Sequence, residues 1–394
     1  MYIFNPENDL ALANFSPHYN APLSALKMRS DLAMLPVWYA PERALVIAEV
    51  ELNSKLLSDL KDLLPINSSL ISYSQVADNP DCKLNPWGWS LSLRKEFMLL
   101  GLNEGLLPSI EDIELLRNYS SRENAVNLLK ELREVNPEFC GASYYYTNVD
   151  ELFSYLNNAE GEQVLKMPYS GSGRGIMWVR NAISDKQMDW CRRVVKKQGG
   201  VVVEPVLNKV KDFALEFEMT DKGVQFVGYS LFQSSPSGAY LGNKLLSDAA
   251  IEARLSTYIE RSQLLGLKDT LKVKLAEHFP HYRGYLGVDM MVCKTKESTY
   301  LLQPCVEVNV RMNMGIVVHR IRERYVYPNS TGLFSINYFK QEGEALKKSL
   351  AMQADNPLVV EKGRVKSGYL ALTPVCRDTS YVASVLIDFQ KKFE

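Results

Sequence analysis

The sequence predicts a multidomain protein of mixed class, with an open α/β sheet at the N-terminus followed by α+β segments. Three observations lead to this prediction. At 394 residues the chain has room for two or three domains. Short apolar runs alternate with helical segments over the first hundred residues, as in a sheet with helical connections. Beyond residue 160 the period changes, and strands joined by turns are interspersed with helices.

The N-terminal elements follow from apolar periodicity and from end signals such as Gly101, which stops a helix. The predicted strands are residues 2–4, 44–47 and 69–74, and the predicted helices are residues 10–13, 54–63 and 91–100. A longer helix is predicted over residues 120–135, because Ser121 is a good N-cap and the following leucines share one face.

The later elements include a hairpin, because residues 220–223 form a turn signal between two alternating segments. The predicted helices are residues 148–156, 184–197, 249–265, 271–278 and 343–352. The predicted strands are residues 163–167, 176–180, 201–204, 212–219, 224–232, 285–292 and 299–302, with a small β addition at 359–360 and 368–372.

The composition excludes several functional classes. The 45 Lys plus Arg nearly balance the 46 Asp plus Glu, whereas a general nucleic-acid binder usually carries a basic excess. The sequence lacks both the apolar run of a membrane helix and the basic, apolar start of a signal peptide. The six cysteines are scattered without a CxxC pair, and the four histidines include no HExxH. We therefore expect a cytoplasmic protein with free thiols and without nucleic-acid or membrane partners.

The first segment with residues suited to binding or catalysis runs from Lys166 to Gly175 and reads KMPYSGSGRG. A glycine-rich turn between two strands can wrap phosphates, because its backbone N–H groups are not obstructed by side chains. Lys166 at the end of the preceding strand is placed to reach the same phosphates. The segment matches neither a Walker loop nor a dinucleotide fingerprint. Taken alone, it fits a flexible surface hairpin equally well.

The second segment pairs acids with apolar strands. Asp289 lies within GVDMMV, and Glu307 and Asn309 lie in EVNVR, two residues apart and so on one face of a strand. Two carboxylates and an amide oxygen suit Mg²⁺. Arg311 continues the alternation and would project towards developing negative charge. The alternative is a pair of solvated acids on an edge strand, although an unpaired carboxylate among apolar neighbours is costly.

The third segment is VEPVL, where a β-branched strand ends in a connection. Main-chain groups after Glu204, such as the N–H of Leu207, can recognise adenine, and Asp212 can bond a ribose hydroxyl. A valine-rich strand before a proline turn is commonplace, so this segment is weak by itself.

The order of these three segments, over residues 120–324, resembles the ATP-grasp superfamily. The resemblance implies two α+β lobes that hold ATP between them, usually preceded by an α/β domain. It implies four parts here: an N-terminal α/β domain (1–115), a small lobe (116–200), a large lobe (201–345) and a β-containing C-terminal extension (346–394).

The resemblance also implies roles for individual residues. Those implied to bind the phosphates are Arg122, Lys166, Ser170, Gly171, Ser172, Gly173 and Gly175. Glu204 and Leu207 match the adenine hinge, and Asp212 matches the ribose contact. Asp289, Glu307 and Asn309 match the ligands of Mg²⁺ (or Mn²⁺), while Arg311 and Lys166 match the catalytic cations. Arg122 is alternatively an exposed helix charge, and Lys244 is either another phosphate contact or a surface lysine.

The sequence departs from the family pattern at three places, one of which is a somewhat long interval between Asp289 and Glu307. Gly287 stands where many of these ligases have a basic residue, and Pro304 lies just before Glu307 in a strand, where it predicts a bulge. The activity implied is an ADP-forming ligation of a carboxylate to an amine or thiol through an acylphosphate. A kinase of the same fold and a non-catalytic ATP-binding protein remain open, as does a homodimer. Residues Glu7 to Asp9 either hold a substrate amine or cap the next helix.

Overall fold

A computed structural model describes residues 1–171, 175–235, 238 and 240–389. Contacts between residues divide the chain into two compact units. Unit 1 comprises Met1–Glu114, Leu241–Asp248 and Met312–Glu394, and unit 2 comprises Leu115–Tyr240 and Ala249–Arg311. The four-part division implied by the family resemblance stays a prediction.

The elements follow one another along the chain, with additional 3₁₀ turns at Leu35–Trp38, Tyr73–Val76 and Glu104–Leu106. The first are β1 (Tyr2–Ile3), α1 (Asn8–Asn14), α2 (Leu23–Asp31), β2 (Leu45–Ile47), α3 (Val50–Leu63), β3 (Ser69–Ile71), β4 (Asn85–Pro86), α4 (Leu91–Leu99) and α5 (Ile110–Tyr119). Then come α6 (Arg122–Val135), β5 (Tyr144–Tyr146), α7 (Val149–Asn158), β6 (Gln163–Lys166), β7 (Ile176–Val179), α8 (Asp185–Gln198), β8 (Val201–Pro205), β9 (Lys209–Thr220) and β10 (Gly223–Ser234). The rest are β11 (Tyr240–Leu245), α9 (Asp248–Leu255), α10 (Arg261–His278), β12 (Gly284–Lys294), β13 (Tyr300–Asn309), α11 (Met314–Tyr325), β14 (Ser330–Tyr338), α12 (Glu344–Asp355), β15 (Val359–Glu361), β16 (Arg364–Ala371) and β17 (Tyr381–Phe389).

Unit 1 begins with the open α/β sheet that the sequence predicts. Its strands are parallel and ordered β3-β2-β1-β4. Apolar residues of the strands pack with those of α4, so that Ile3, Ile47 and Phe97 are almost completely buried in one core. The predicted strand over residues 69–74 is too long. It ends at Ile71, because Ser72 and Gln75 form a capping box that starts a 3₁₀ turn.

The C-terminal part of unit 1 is an antiparallel sheet that extends the predicted β addition. Strands β14, β17, β16 and β15 lie side by side, and β11 pairs with β14. The carboxylate of Asp31 accepts hydrogen bonds from the N–H groups of Ser380 and Tyr381, which ties α2 to the start of β17. The sequence does not predict β14 and β17, although each has nine residues.

Unit 2 contains a small antiparallel sheet ordered β5-β8-β6-β7. Helices α7 and α8 cover it, and their apolar faces bury Leu152 and Cys191 against Leu165 and Val203 of the strands. Asn148 caps α7 and Gly199 ends α8 in a left-handed conformation, as the sequence predicts. This sheet fixes β6 and β8, which carry Lys166 and Glu204.

A second antiparallel group in unit 2 is ordered β13-β12-β9-β10. Its register passes from Asp289 opposite Glu307 to Met291 opposite Gln303, so β13 contains the bulge predicted at Pro304. In unit 2 this strand ends the order, where proline is tolerated. The bulge leaves Asp289 and Glu307 directly opposite each other. The helix predicted over residues 249–265 is interrupted, because Glu260 is extended and starts α10.

None of the helices in the described part of the chain combines the length and the apolar character needed to span a bilayer.

Candidate functional site

Strands β12 and β13 place an amide and two carboxylates on one face. Asp289 pairs with Glu307 and Gly287 pairs with Asn309, so their side chains follow the same two-residue period. The Asn309 amide Nδ2 donates a hydrogen bond to Asp289 Oδ2 at 3.1 Å.

The neighbouring strand β9 brings two more acids to the same face. Asp212 pairs with Met291, and Glu216 pairs with Gly287. Burial raises the pKa of Asp289 well above its usual range, and the charges of Glu307, Glu216 and Asp212 raise it further. The hydrogen bond from Asn309 acts in the opposite direction. Crowded, partly desolvated carboxylates of this kind are stabilised by a divalent cation.

Glu216 did not emerge from the sequence as a site residue. The sequence does contain an indication, because Glu216 is an acid in the middle of the apolar strand FALEF, where burial of a charge is unfavourable unless it has a partner. Within the described ranges, no three His, Cys, Asp or Glu side chains are grouped to hold a metal ion. An ion at this face would therefore depend on Asp289, Glu307 and the Asn309 amide, with water completing its coordination.

Arg122 links this face to the glycine-rich segment. Its Nη1 donates to Met167 O at 2.7 Å and to Ser170 Oγ at 2.6 Å, and its Nη2 donates to Ser170 O at 3.3 Å. The same Nη2 lies 2.7 Å from Glu307 Oε1. Arg122 is buried, so the alternative of an exposed helix charge is wrong. Its Nε is buried without a partner.

The start of α6 positions Arg122. Ser121 caps the helix through a hydrogen bond from Glu123 N, and Arg122 N donates to Pro168 O at 3.1 Å. The N-terminus of α6, which carries a partial positive charge, therefore lies against the segment before the glycines. A helix N-terminus with an adjacent guanidinium is a favourable environment for an anion.

Lys166 and Glu204 form a buried ion pair. Val164 of β6 pairs with Glu204 of β8, so Lys166, two residues along, projects from the same face. Lys166 Nζ lies 2.6 Å from Glu204 Oε2, and the two side chains are only 9% and 10% exposed. Ser143 Oγ donates to the other carboxylate oxygen at 3.0 Å. Both oxygens of Glu204 are thus held, one by a cation and one by a hydroxyl.

A main-chain hydrogen bond joins the two ends of the glycine-rich segment, which lies between β6 and β7. Met167 N donates to Gly175 O at 2.9 Å, and Gly175 has φ +73°. A Cβ at Gly175 would lie 2.8 Å from the Ser170 Cβ, so this position requires glycine for both conformation and space. Ser170 and Gly171 are also described, whereas Ser172 and Gly173 lie outside the described residues.

The remaining predicted residues lie on or next to β8, β9, β11 and β13. Leu207 follows β8 and its carbonyl accepts a hydrogen bond from Lys209 N at 2.9 Å. Asp212 Oδ2 accepts from Lys209 Nζ at 2.6 Å and from Ser234 Oγ at 2.5 Å. Arg311 follows β13, and its charge partly offsets the rise that burial produces in the pKa of Tyr282. Lys244 belongs to unit 1, on β11.

Cys305 shows that the carboxylate face and the buried ion pair are neighbours. Burial raises the pKa of its thiol, and the charges of Glu204, Asp289 and Glu307 raise it further, while Lys166 lowers it. The Cys305 thiol in the β13 bulge therefore interacts electrostatically with residues that are predicted to bind adenine, phosphate and metal. The structure brings these residues into one region of unit 2.

The loop after β1 in unit 1 is organised by different contacts. Asn5 Nδ2 donates to Gly88 O at 2.8 Å, which joins the ends of β1 and β4. The side chain of Glu7 does not cap α1. Instead Glu7 Oε1 lies 2.9 Å from Arg29 Nη1, and burial raises the pKa of Glu7 while the Arg29 charge lowers it.

Comparison with known proteins finds similarity at the level of structure. No family model matches the chain, and no curated protein matches it. A crystal structure of biotin carboxylase from Campylobacter jejuni, as a β-γ-ATP complex, aligns over 98% of this chain and 87% of that chain. The sequence identity is 13% and the TM-score is 0.52. N5-carboxyaminoimidazole synthetase from Staphylococcus aureus, complexed with ADP, covers 90% of this chain and 95% of its own, with 11% identity and a TM-score of 0.49.

Proposed function

We propose that this chain, which has the ATP-grasp fold, is an ATP- and Mg²⁺-dependent ligase that joins a carboxylate to an amine or thiol with formation of ADP. The observation that carries the proposal is the position of Arg122. It contacts both Ser170 of the glycine-rich segment and Glu307 of the carboxylate pair. The Arg122 guanidinium would then lie between the segment proposed to hold the phosphates and a carboxylate proposed to hold the metal.

The proposed metal ligands are Asp289, Glu307 and Asn309. The raised pKa of Asp289 supports this assignment, because burial and the charges of Glu307, Glu216 and Asp212 disfavour its ionised form, which a bound cation would stabilise. These proposed ligands would hold Mg²⁺, whose positive charge would neutralise charge that develops on the nucleotide phosphates.

The proposed nucleotide site uses the residues around β6 and β8. Lys166, Arg122, Ser170, Gly171 and Gly175 would hold the phosphates, together with Ser172 and Gly173, which lie outside the described residues. Glu204 and the main chain at Leu207 would face adenine, and Asp212 would bond the ribose. The Campylobacter jejuni neighbour, described as a β-γ-ATP complex, is consistent with a nucleotide in this fold.

The reaction would proceed in two steps. A carboxylate oxygen of the substrate attacks the γ-phosphorus of ATP, and the bond to the ADP oxygen breaks. The amine then attacks the acyl carbon, inorganic phosphate leaves, and the nitrogen loses a proton to the released phosphate or to water as the amide forms. Lys166 and Arg311 would stabilise the negative charge that develops in these steps, and no protein nucleophile is required. The residues of this chain would mainly bind and orient the substrates and neutralise the negative charge.

The test is ATP-dependent phosphate release in the presence of panels of carboxylates and amines. We expect release that requires both a carboxylate and an amine or thiol, and that is lost in Glu307→Gln. A stable phosphorylated product formed without an amine would instead identify a kinase. Binding of Mg-ATP without turnover over the whole panel would identify a non-catalytic nucleotide-binding protein. Either result would overturn the proposed ligase activity.

A further inference from the structure

The bulge of β13 determines which residue of that strand lies opposite Asp289. Met291 pairs with Gln303, and Asp289 pairs with Glu307. Between these two pairs β12 has the single residue 290, whereas β13 has residues 304–306. The extra residues of β13 shift its pairing with β12 by two positions.

A register without the bulge would place the two acids differently. If the pairing of Met291 with Gln303 continued regularly, Cys305 would lie opposite Asp289, and Glu307 would lie opposite Gly287. Asp289 and Glu307 would then be diagonal neighbours, about 7–8 Å apart, whereas directly opposite residues are about 4.5–5.5 Å apart. Because the ligands of Mg²⁺ lie about 2.0–2.1 Å from the ion, the opposite arrangement suits two carboxylates that share one ion.

The side chain of Gln303 holds the main chain of the bulge. Its Nε2 donates to Cys305 O at 2.9 Å, and Cys305 N donates to its Oε1 at 2.9 Å. Pro304, which lies between them, has no N–H to offer to a neighbouring strand. Gln303 and Cys305 are each only 2% exposed, and buried main-chain groups need partners. The amide of Gln303 thus supplies the donor and the acceptor that a regular ladder would supply.

Gly141 leaves room for this amide. It lies in the connection between α6 and β5 with φ +95°, and the preceding residue, Cys140, donates its N–H to Leu302 O at 2.9 Å. A Cβ at Gly141 would lie 2.6 Å from Gln303 Cγ and 3.3 Å from its Cδ. A larger residue at this position would therefore displace the side chain that holds the bulge.

We propose that Gln303 is a positioning residue of the metal site, which selects the bulged register of β13 and so keeps Glu307 opposite Asp289. This role rests on the proposed function, because that function assigns both carboxylates to one divalent cation. Gln303 acts through the main chain of Cys305, two residues before Glu307, and not through contact with the ion. Its loss should therefore reduce the contribution of the metal to nucleotide binding.

The experiment measures the dissociation constant of ATP by calorimetry, once in Mg²⁺ and once in EDTA. The ratio of the two constants gives the contribution of the metal. Gln303→Met preserves the length of the side chain but removes both hydrogen bonds to Cys305. We expect the ratio to fall by about tenfold or more, the scale of lost support for metal ligands, while the affinity in EDTA is retained. Gln163→Met is the matched control, because Gln163 is also buried and donates to a main-chain carbonyl, and it should keep the natural ratio.

A second pair of variants leaves the glutamine in place. Gly141→Ala should push the Gln303 amide away from Cys305 and lower the same ratio. Gly223→Ala is the control for backbone strain, because Gly223 has φ +105° and an added Cβ there meets no atom within 4 Å in the described part of the chain. This control should keep the natural ratio. Urea unfolding establishes that each variant is folded, and Gly141→Ala decides the matter if Gln303→Met does not fold.

The possible outcomes separate the role of Gln303 from the proposed function. A natural ratio in folded Gln303→Met would overturn the positioning role and leave the proposed function intact. Equal losses of affinity in Mg²⁺ and in EDTA would also overturn that role, since they would indicate general damage to the nucleotide site. If the natural protein binds no ATP, or binds it equally in Mg²⁺ and in EDTA, the proposed function fails, and the role of Gln303 fails with it.

Discussion

Arg122 and Glu307 are 185 residues apart in the chain and form an ion pair of 2.7 Å. Arg122 begins α6, and Glu307 ends the bulge of β13. Two more hydrogen bonds from the same guanidinium to Ser170 attach the glycine-rich segment to this pair. We therefore expect a change in charge at Glu307, such as metal binding, to affect the glycine-rich segment through Arg122.

The first prediction concerns Arg122→Lys. Lysine keeps the charge but cannot direct separate donors at Met167, Ser170 and Glu307 as the guanidinium does. We expect Mg-ATP affinity to fall by at least about tenfold, since each hydrogen bond to a charged group contributes about 1.5–3 kcal/mol. Calorimetric titration measures the change. Lys130→Gln, on the exposed side of the same helix, is the control and should bind normally.

The second prediction concerns the metal. Glu307→Gln removes one of two carboxylates from the proposed ligand set, so the stabilisation of the protein by Mg-ATP should largely disappear. In the natural protein, nucleotide at about 100 times its Kd should stabilise the fold by about 2.7 kcal/mol. Thermal unfolding with and without EDTA measures this. EDTA should abolish the shift, and Mn²⁺ should restore it.

A matched variant makes this metal test specific. Glu297 lies exposed in the turn between β12 and β13, on the same hairpin as Glu307. Glu297→Gln should retain the full Mg-ATP shift. Equal loss of the shift in both variants, or an unchanged shift in Glu307→Gln, would contradict the assignment of Glu307 as a ligand.

The sequence predicts those features that depend on local period. Glu307 and Asn309 share a face because they are two residues apart, and Pro304 signals the bulge, so this part of the site was accessible before the structure. The sequence also predicts Lys166 near the end of a strand that precedes glycines, and β6 ends at Lys166. The parallel N-terminal sheet was likewise visible as apolar runs separated by helices.

The remaining features depend on register between distant strands. Glu216 reaches the carboxylate face only because β9 pairs with β12, and nothing in its own segment specifies that neighbour. The side-chain partners of Glu204 also cannot be predicted from the sequence, since Ser143 and Lys166 come from separate elements. The local sequence shows the residue types of the site, whereas their hydrogen bonds and ion pairs arise from tertiary packing.

The third prediction concerns the stability of the Lys166–Glu204 pair. Among the described residues, Lys166→Met leaves the buried Glu204 carboxylate with the Ser143 hydroxyl as its remaining side-chain partner, so we expect the free energy of unfolding to fall by about 3–5 kcal/mol. The double variant Lys166→Met with Glu204→Met removes both charges and should be more stable than the single variant. Urea unfolding of the two single variants and the double variant measures the coupling. Strictly additive effects would show that the charges do not interact.

The fourth prediction concerns the pH dependence of thiol modification. The Cys293 thiol lowers the pKa of Cys140 in the folded protein and outweighs the effect of burial, so the Cys140 thiolate forms at a lower pH than in the unfolded chain. Because iodoacetamide reacts with the thiolate, the pH midpoint for alkylation of Cys140 should be lower in native protein than in urea. Peptide mass spectrometry across a pH series measures both midpoints. In Cys293→Ala the native midpoint should rise, because the thiol that lowers the Cys140 pKa is absent; a midpoint that stays low in that variant would assign the effect to Arg133 instead.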